Sequence, residues 1–171
     1  MHIACNRVPM ESSSAVTHDL TLESVKEAIY SRNSPTLTPI DIEAHASTVH
    51  RILELKRKHD VVILGHNYME PLVFGISEQN EQGDSLELSM SAVQTDSQYI
   101  IFNGVRFMAE TAKVLNPEKT VLIADKTAGC SLADDFSAQD VRNLKEKYPG
   151  VPVMIYINSY AEAKAECDVC C

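Results

Sequence analysis

The sequence predicts an α/β fold, a parallel sheet with helices on both faces in three αβα layers. Three observations carry this expectation. Short continuous apolar runs rich in β-branched residues recur along the chain: VVILG (61–65), YIIFNG (99–104), TVLIAD (120–125) and PVMIYIN (152–158). Such runs are the mark of strands buried on both faces. Helical stretches alternate with them, and a β-α-β-α order calls for parallel strands joined by crossover helices. The composition, 44% hydrophobic and 23% charged over 171 residues, supplies enough apolar material for a real core.

Each element can be justified in turn. Residues 1–20 are polar and Ser-rich without periodicity and read as a loose tail. LTLESVKEAIYSRN (20–33) can form a short helix with Leu22, Val25 and Ile29 on one face, broken by SPTLTP (34–39). The next helix has Thr38 as cap, Pro39 at the first helical position and Asp41 in an acidic first turn. Ile42, Ala46, Val49 and Leu53 then recur at helical spacing. Lys56, Arg57 and Lys58 fall in its last turn, where a solvated helix end is the expected reading. After the first strand come the helix SLELSMSAVQ (85–94), a strand, and the helix RFMAETAKVL (106–115), stopped by Asn116-Pro117. A third strand follows, then SAQDVRNLKEKY (137–148) with Ser137 as cap and Asp140 three residues on. PVMIYIN is a strand, SYAEAKAE (159–166) a helix, and DVCC (168–171) the opening of one more strand. A strand that has barely begun at Cys171 leaves backbone groups unpaired, so we expect a portion of a longer protein. The expected division is a tail with a short helix over 1–37, an α/β domain over 38–150, and the start of a further domain over 151–171.

The formal net charge is −9 with no Lys/Arg-rich run, which argues against nucleic-acid and anionic-membrane partners. No apolar run approaches the roughly 20 residues of a membrane span, and residues 1–20 lack a signal-peptide core. The expected location is cytoplasmic. Five cysteines, Cys5, Cys130, Cys167, Cys170 and Cys171, in such a setting point to metal binding or plain burial rather than to disulfides.

Ligands of open parallel sheets bind beyond the carboxyl ends of the strands, and there the reactive side chains gather. His66, Asn67 and Tyr68 follow the first strand; Asn103, Gly104 and Arg106 the second; Asp125, Lys126 and Cys130 the third; Tyr156 and Asn158 close the fourth. Each has a plain structural reading too. His66 can cap a strand end, Tyr68 can pack half-buried, Tyr156 can belong to the core, Asn158 can cap the last helix, and Arg106 and Lys113 can be solvated helix residues. No GxGxxG or GxxxxGK[ST] stretch occurs, so a dinucleotide or P-loop site has no support. A thiolate is a nucleophile or a metal ligand, but one cysteine holds neither zinc nor an iron–sulfur cluster. Two readings of Cys130 stay open. In one it shares a metal or redox centre with Cys167, Cys170 and Cys171; in the other its partners lie elsewhere and the trio is structural.

The stretches GHNYMEP, GDSLELS, GVRFMAETAKVLNPEKTVL, AGCSLAD and YINSYAEAKAECDVCC resemble quinolinate synthase, in the family's order from about residue 61 onward. The resemblance implies three similar α/β/α domains, of which this chain would hold the first and the start of the next. It implies a transferase-type enzyme of NAD biosynthesis (pyridine nucleotide biosynthesis) that condenses iminoaspartate with dihydroxyacetone phosphate, working beside an L-aspartate-oxidizing enzyme. It also implies a [4Fe-4S] cluster held by three cysteines, whose open iron acts as Lewis acid. Cys130 matches the first cluster cysteine; the other two would lie beyond this chain, so the 171 residues alone would be inactive. His66 and Tyr68 match a substrate-binding histidine and an active-site tyrosine tied to proton transfer. Ser85 matches a serine that holds carboxylate or phosphate oxygens, and Tyr156 and Asn158 match pocket-lining residues. Met69, and the polar connection VFGISEQNEQ (73–82), depart from the family's pattern.

Overall fold

The computed structural model describes residues 20–33 and 37–171. The expected tail, and the break after the first helix, fall largely outside these residues. Helix α1 (Leu22–Asn33) packs against the long helix α2 (Pro39–His59) through Val25, Ile29, Ile42 and Val49. Leu22, expected on the same face, is instead 41% exposed. The start of α2 is fixed by a reciprocal cap. Thr38 Oγ1 accepts from the Asp41 amide, and the Thr38 amide donates to Asp41 Oδ2 at 2.9 Å. Its end turns on Asp60, whose φ of 49° places it in the left-handed region that Asp tolerates better than most residues.

Strand β1 (Val61–His66) follows at once. The chain then makes a short helix α3 (Pro71–Ile76), a 3-10 turn (Gln79–Glu81) and a two-residue strand β2 (Gln82–Gly83). None of these three was expected, because pieces this short carry no readable periodicity. Helix α4 (Ser85–Gln94), β3 (Tyr99–Asn103), α5 (Arg106–Leu115) and β4 (Thr120–Ile123) complete a parallel sheet of order β2-β1-β3-β4. Val61 pairs with Tyr99 and Tyr99 with Thr120. Because β2 lies on one side of β1 and β3 on the other, the chain reverses direction across the sheet at β1. A crevice opens at the carboxyl end of that strand.

One face of the sheet is fully covered. Val62, Leu64, Ile100 and Phe102 pack against Leu88 and Ala92 of α4 and Phe107, Met108 and Ala112 of α5. The other face is covered over β1 by α2 and α3. There Gly65 lies so close to Ser77 that a Cβ would stand 2.6 Å from its Oγ. Over β3 and β4 this face stays open, with Tyr99 and Leu122 46% and 49% exposed beside a groove lined by Leu55, Ile63 and Ile101. The expectation of helices on both faces therefore holds with one uneven layer.

Beyond β4 come α6 (Ser131–Asp134), α7 (Ala138–Lys147), β5 (Met154–Ile155), α8 (Ala161–Ala165) and β6 (Val169–Cys170). Strand β5 does not join the first sheet; it pairs with β6 in a separate parallel ladder, Met154 opposite Val169 and Ile155 opposite Cys170. Ion pairs tie α7 to this second unit, Arg142 to Glu166 at 2.7 Å and Lys145 to Asp168 at 3.2 Å. At the end of α2, Arg57 and Lys58 are solvated as expected but Lys56 is not. Lys56 reaches Glu78 at 2.9 Å and Glu81 at 2.8 Å with its side chain only 11% exposed, pinning the 3-10 turn against α2. Lys113 closes the end of α5, donating to the carbonyls of Pro117 and Lys119. Among the described residues no helix is long and apolar enough to cross a membrane.

Candidate active site

The crevice at the end of β1 opens into a cavity of about 710 Å³. His66, Tyr68, Ser85, Cys130, Tyr156 and Asn158 all line it. They come from four different places in the chain: the end of β1, the start of α4, the loop after β4, and the turn after β5. The parallel sheet brings the first three together because every crossover returns the chain to the same edge; the turn after β5 arrives from the separate second ladder.

His66 is the last residue of β1 and is buried. Its Nδ1 accepts from the Tyr68 amide at 3.4 Å, which leaves the neutral ring carrying its proton on Nε2. Burial pushes the imidazole below its ordinary value of 6.5, while the Asp84 carboxylate opposes the shift. Tyr68 stands 89% exposed at the cavity mouth. Its ring meets His66 edge-on at 4.7 Å between centroids. The plain reading of Tyr68 as half-buried packing does not hold.

Ser85 opens α4 behind Asp84, whose Oδ1 accepts from the amides of both Leu86 and Glu87. Asp84 thus occupies donors that an anion at this helix end would use, and leaves the Ser85 hydroxyl as the polar handle. Cys130 is the residue before α6 and is partly buried; its carbonyl accepts from the amides of Ala133 and Asp134. The loop leading to it is shaped by Asp125, whose Oδ1 accepts from the amide and hydroxyl of Thr127 at 2.8 and 2.7 Å. Tyr156 lies past the end of β5, not inside the strand, and is exposed to the cavity. Asn158 caps no helix, since the residue before α8 is Tyr160. Its side-chain oxygen is buried on the cavity and has no hydrogen-bond partner among the described residues, so it can accept a donor from a ligand.

Among the further lining residues, Asp84, Met108 and Ser131 were not singled out from the sequence, while Cys171 was weighed there only with the C-terminal trio. Asp84 and Ser131 adjoin motif residues and carry a readable signal. Met108 and Cys171 arrive only through tertiary packing. Among the described residues no Lys or Arg lines the cavity. Among the described residues no three His, Cys, Asp or Glu side chains come together as a metal site. Cys167 donates to the Ala163 carbonyl and Cys170 is exposed; neither lines the cavity. A centre shared by Cys130 with the whole C-terminal trio is therefore not assembled. Cys130 and Cys171 are the cysteines that line the cavity among the described residues, and the Cys130 thiol there fits a cluster whose remaining ligands come from other parts of a protein.

Fold and site together define an α/β protein with an enzyme-like cavity, lined by both polar and apolar side chains, at a sheet's switch point, where Cys130 can offer a thiolate to a metal centre. Residues 50–171 match the family model described as NadA, quinolinate synthetase A protein. The chain is 48% identical over 151 residues to quinolinate synthase 2 of Mesorhizobium japonicum, covering 88% of this chain and 46% of that protein. It is 48% identical over 145 residues to quinolinate synthase of Sinorhizobium medicae, covering 85% and 40%. Against quinolinate synthase of Xylella fastidiosa it is 51% identical over 132 residues, covering 77% and 36%. The chain belongs to the quinolinate synthetase A family, and it spans less than half the length of these relatives.

Proposed function

We propose that this chain is the N-terminal portion of a quinolinate synthase. The complete enzyme condenses iminoaspartate with dihydroxyacetone phosphate, releasing quinolinate, phosphate and two waters, as a transferase-type step of NAD biosynthesis in the cytoplasm. An L-aspartate-oxidizing enzyme supplies the imine. In this reading residues 38–150 form the first of three similar domains and 151–171 begin the next. The observation that carries the reading is the convergence of His66, Tyr68, Ser85, Cys130, Tyr156 and Asn158 on one cavity in a chain of this family.

Cys130 would be one of three thiolates holding a [4Fe-4S] cluster, with the other two supplied by the rest of the protein. When bound, the cluster supplies a Lewis-acidic iron. The chain's own residues bind, orient and handle protons. Ser85 and Tyr156 offer hydroxyls to carboxylate or phosphate oxygens. Asn158, through its unpartnered oxygen, accepts from the imine N–H or a substrate hydroxyl. With its proton on Nε2 and its ring neutral, His66 can donate a hydrogen bond to a substrate oxygen and stabilise charge that develops there. Tyr68, beside it at the mouth, is placed to exchange protons and to close over a bound substrate. Both substrates are anions and, among the described residues, no Lys or Arg lines the cavity; this reading assigns their counter-charges to the remaining domains.

The test uses the complete protein, reconstituted anaerobically. Cys130→Ala should abolish quinolinate formation and the cluster's visible absorption, while Cys170→Ala should keep the cluster. Equal loss of metal in both would favour a centre that includes the C-terminal cysteines. A cluster retained in Cys130→Ala would overturn the assignment. The 171-residue chain alone should show no turnover.

A further inference from the structure

Next to the Cys130 loop lies a polar assembly, outside the cavity lining, that the proposed chemistry does not use. Tyr160 is buried, and its hydroxyl donates to Asp134 Oδ1 at 2.6 Å. Arg106 stacks over the Tyr160 ring with its guanidinium carbon 3.9 Å from the centroid. The Arg106 amide donates to the Ala128 carbonyl at 2.8 Å, and its Nε donates to Glu110 Oε1 at 2.9 Å. Glu110 Oε2 in turn accepts from the Ala161 amide at 2.8 Å. Gly129 sits against the same pair; a Cβ there would stand 3.3 Å from Asp134 Oδ2 and 3.4 Å from the Tyr160 hydroxyl.

These contacts bracket the thiol. Ala128 and Gly129 are held before it and Asp134 after it, while the Cys130 carbonyl closes the intervening turn. The anchors come from two other elements, α5 and the start of α8. The loop carrying Cys130 is exposed at Gly129, Ser131 and Leu132, so its own burial does not fix it. We propose that Tyr160 and Asp134, braced by Arg106 and Glu110, are positioning residues that set the Cys130 thiol at the cavity. This also makes the thiol's placement depend on docking of the second sheet unit, because Tyr160 and Ala161 belong to it. The inference rests on the reading of Cys130 as a cluster ligand only for its consequence; the positioning itself is a property of the apo protein.

The experiment therefore begins on the complete protein without its cluster. The rate of Cys130 alkylation by iodoacetamide is followed by peptide mass, beside the thermal midpoint. Tyr160→Phe keeps the ring under Arg106 and removes only the hydroxyl. It should raise the alkylation rate about five-fold, the factor expected for one net hydrogen bond. Asp134→Leu should do the same, whereas Asp134→Asn, which keeps an oxygen acceptor, should restore the wild-type rate. The reconstituted Tyr160→Phe protein should also show altered electron paramagnetic resonance of its reduced cluster. An unchanged alkylation rate in both Tyr160→Phe and Asp134→Leu overturns the proposal. So does a rise in which Asp134→Asn behaves like Asp134→Leu, or one matched by faster alkylation of Cys167. If Cys130→Ala retains a cluster, the functional reading fails while the alkylation result still decides the positioning.

Discussion

The four-stranded and two-stranded sheets differ in what holds them. In the first, Leu64, Ile100 and Phe102 are fully buried between strands and two helices. In the second, Met154, Val169 and Cys170 are exposed, and Ile155 is the one buried residue of the four that make the ladder. The second unit is attached by Tyr160, which joins the first core, and by polar links: Glu110 to the Ala161 amide, Lys164 to Thr111 Oγ1 at 2.7 Å, and Arg106 over Tyr160. A hydrophobic core is indifferent to small shifts in geometry, whereas hydrogen bonds and stacked cations require a fixed geometry. The cavity draws residues from both units: the first carries His66, Tyr68, Ser85 and Cys130, and the second Tyr156 and Asn158.

The comparison can be broken most directly in the cores. Leu64→Ala should destabilise the protein by about 3–4 kcal/mol in a denaturant titration, as a cavity in a fully buried cluster does. Met154→Ala, at a comparably central position of the second sheet but 67% exposed, should change stability by less than about 0.5 kcal/mol. Equal losses would show that the second sheet has a core of its own.

Ion pairs sharpen the contrast. Lys56→Met leaves Glu81 unpaired, and the two side chains are only 11% and 12% exposed. The expected cost is about 2–3 kcal/mol, low in the range for a buried pair because both keep some contact with water. Arg142→Met removes a pair whose partners are 45% and 37% exposed, and should cost under about 1 kcal/mol with a clear salt dependence. Helix caps should not distinguish the regions. Thr38→Ala and Ser137→Ala each remove a reciprocal capping box, and each should cost about 1 kcal/mol in thermal or denaturant unfolding.

The smallest effect concerns His66, where the scaffold meets the site. Its folded pKa lies below 6.5 because burial disfavours the charged ring. The unfolded chain then binds more protons than the folded one between the two values. The stability that goes with the neutral ring is present above about pH 6.5 and is lost as pH falls through the lower folded value. A nuclear magnetic resonance titration of the ring should show a midpoint below 6.5. Asp84→Asn should lower it further, since the Asp84 carboxylate opposes the shift; a midpoint that rises would remove Asp84 from the site's electrostatics.

Much of this was legible in the sequence because local rules decided it. Thr38 and Asp41 are three residues apart on a helix start, so the cap forms whatever surrounds it. Val61 to Leu64 read as a buried strand because no water-facing alternation interrupts them. The polar residues after β1, β3 and β4 were placed at one edge by the βαβ order alone. Other features were not legible. Two-residue strands such as β2 have no period to detect. Lys56 reads as solvent-facing by composition, and only the arrival of Glu78 and Glu81 from a distant turn makes it an internal ion pair.

The sequence by itself determined the longer helices, the long strands, the parallel order and the residue types gathered at their carboxyl ends, since periodicity, capping and chirality act over a few residues at a time. Tertiary structure decided which strands share a sheet, which face of β3 and β4 stays open, and which side chains stand behind Cys130. Those outcomes depend on contacts between residues tens of positions apart, such as Tyr160 with Asp134 or Glu110 with Ala161. No spacing along the chain encodes such contacts; they exist only once the packed elements have fixed one geometry.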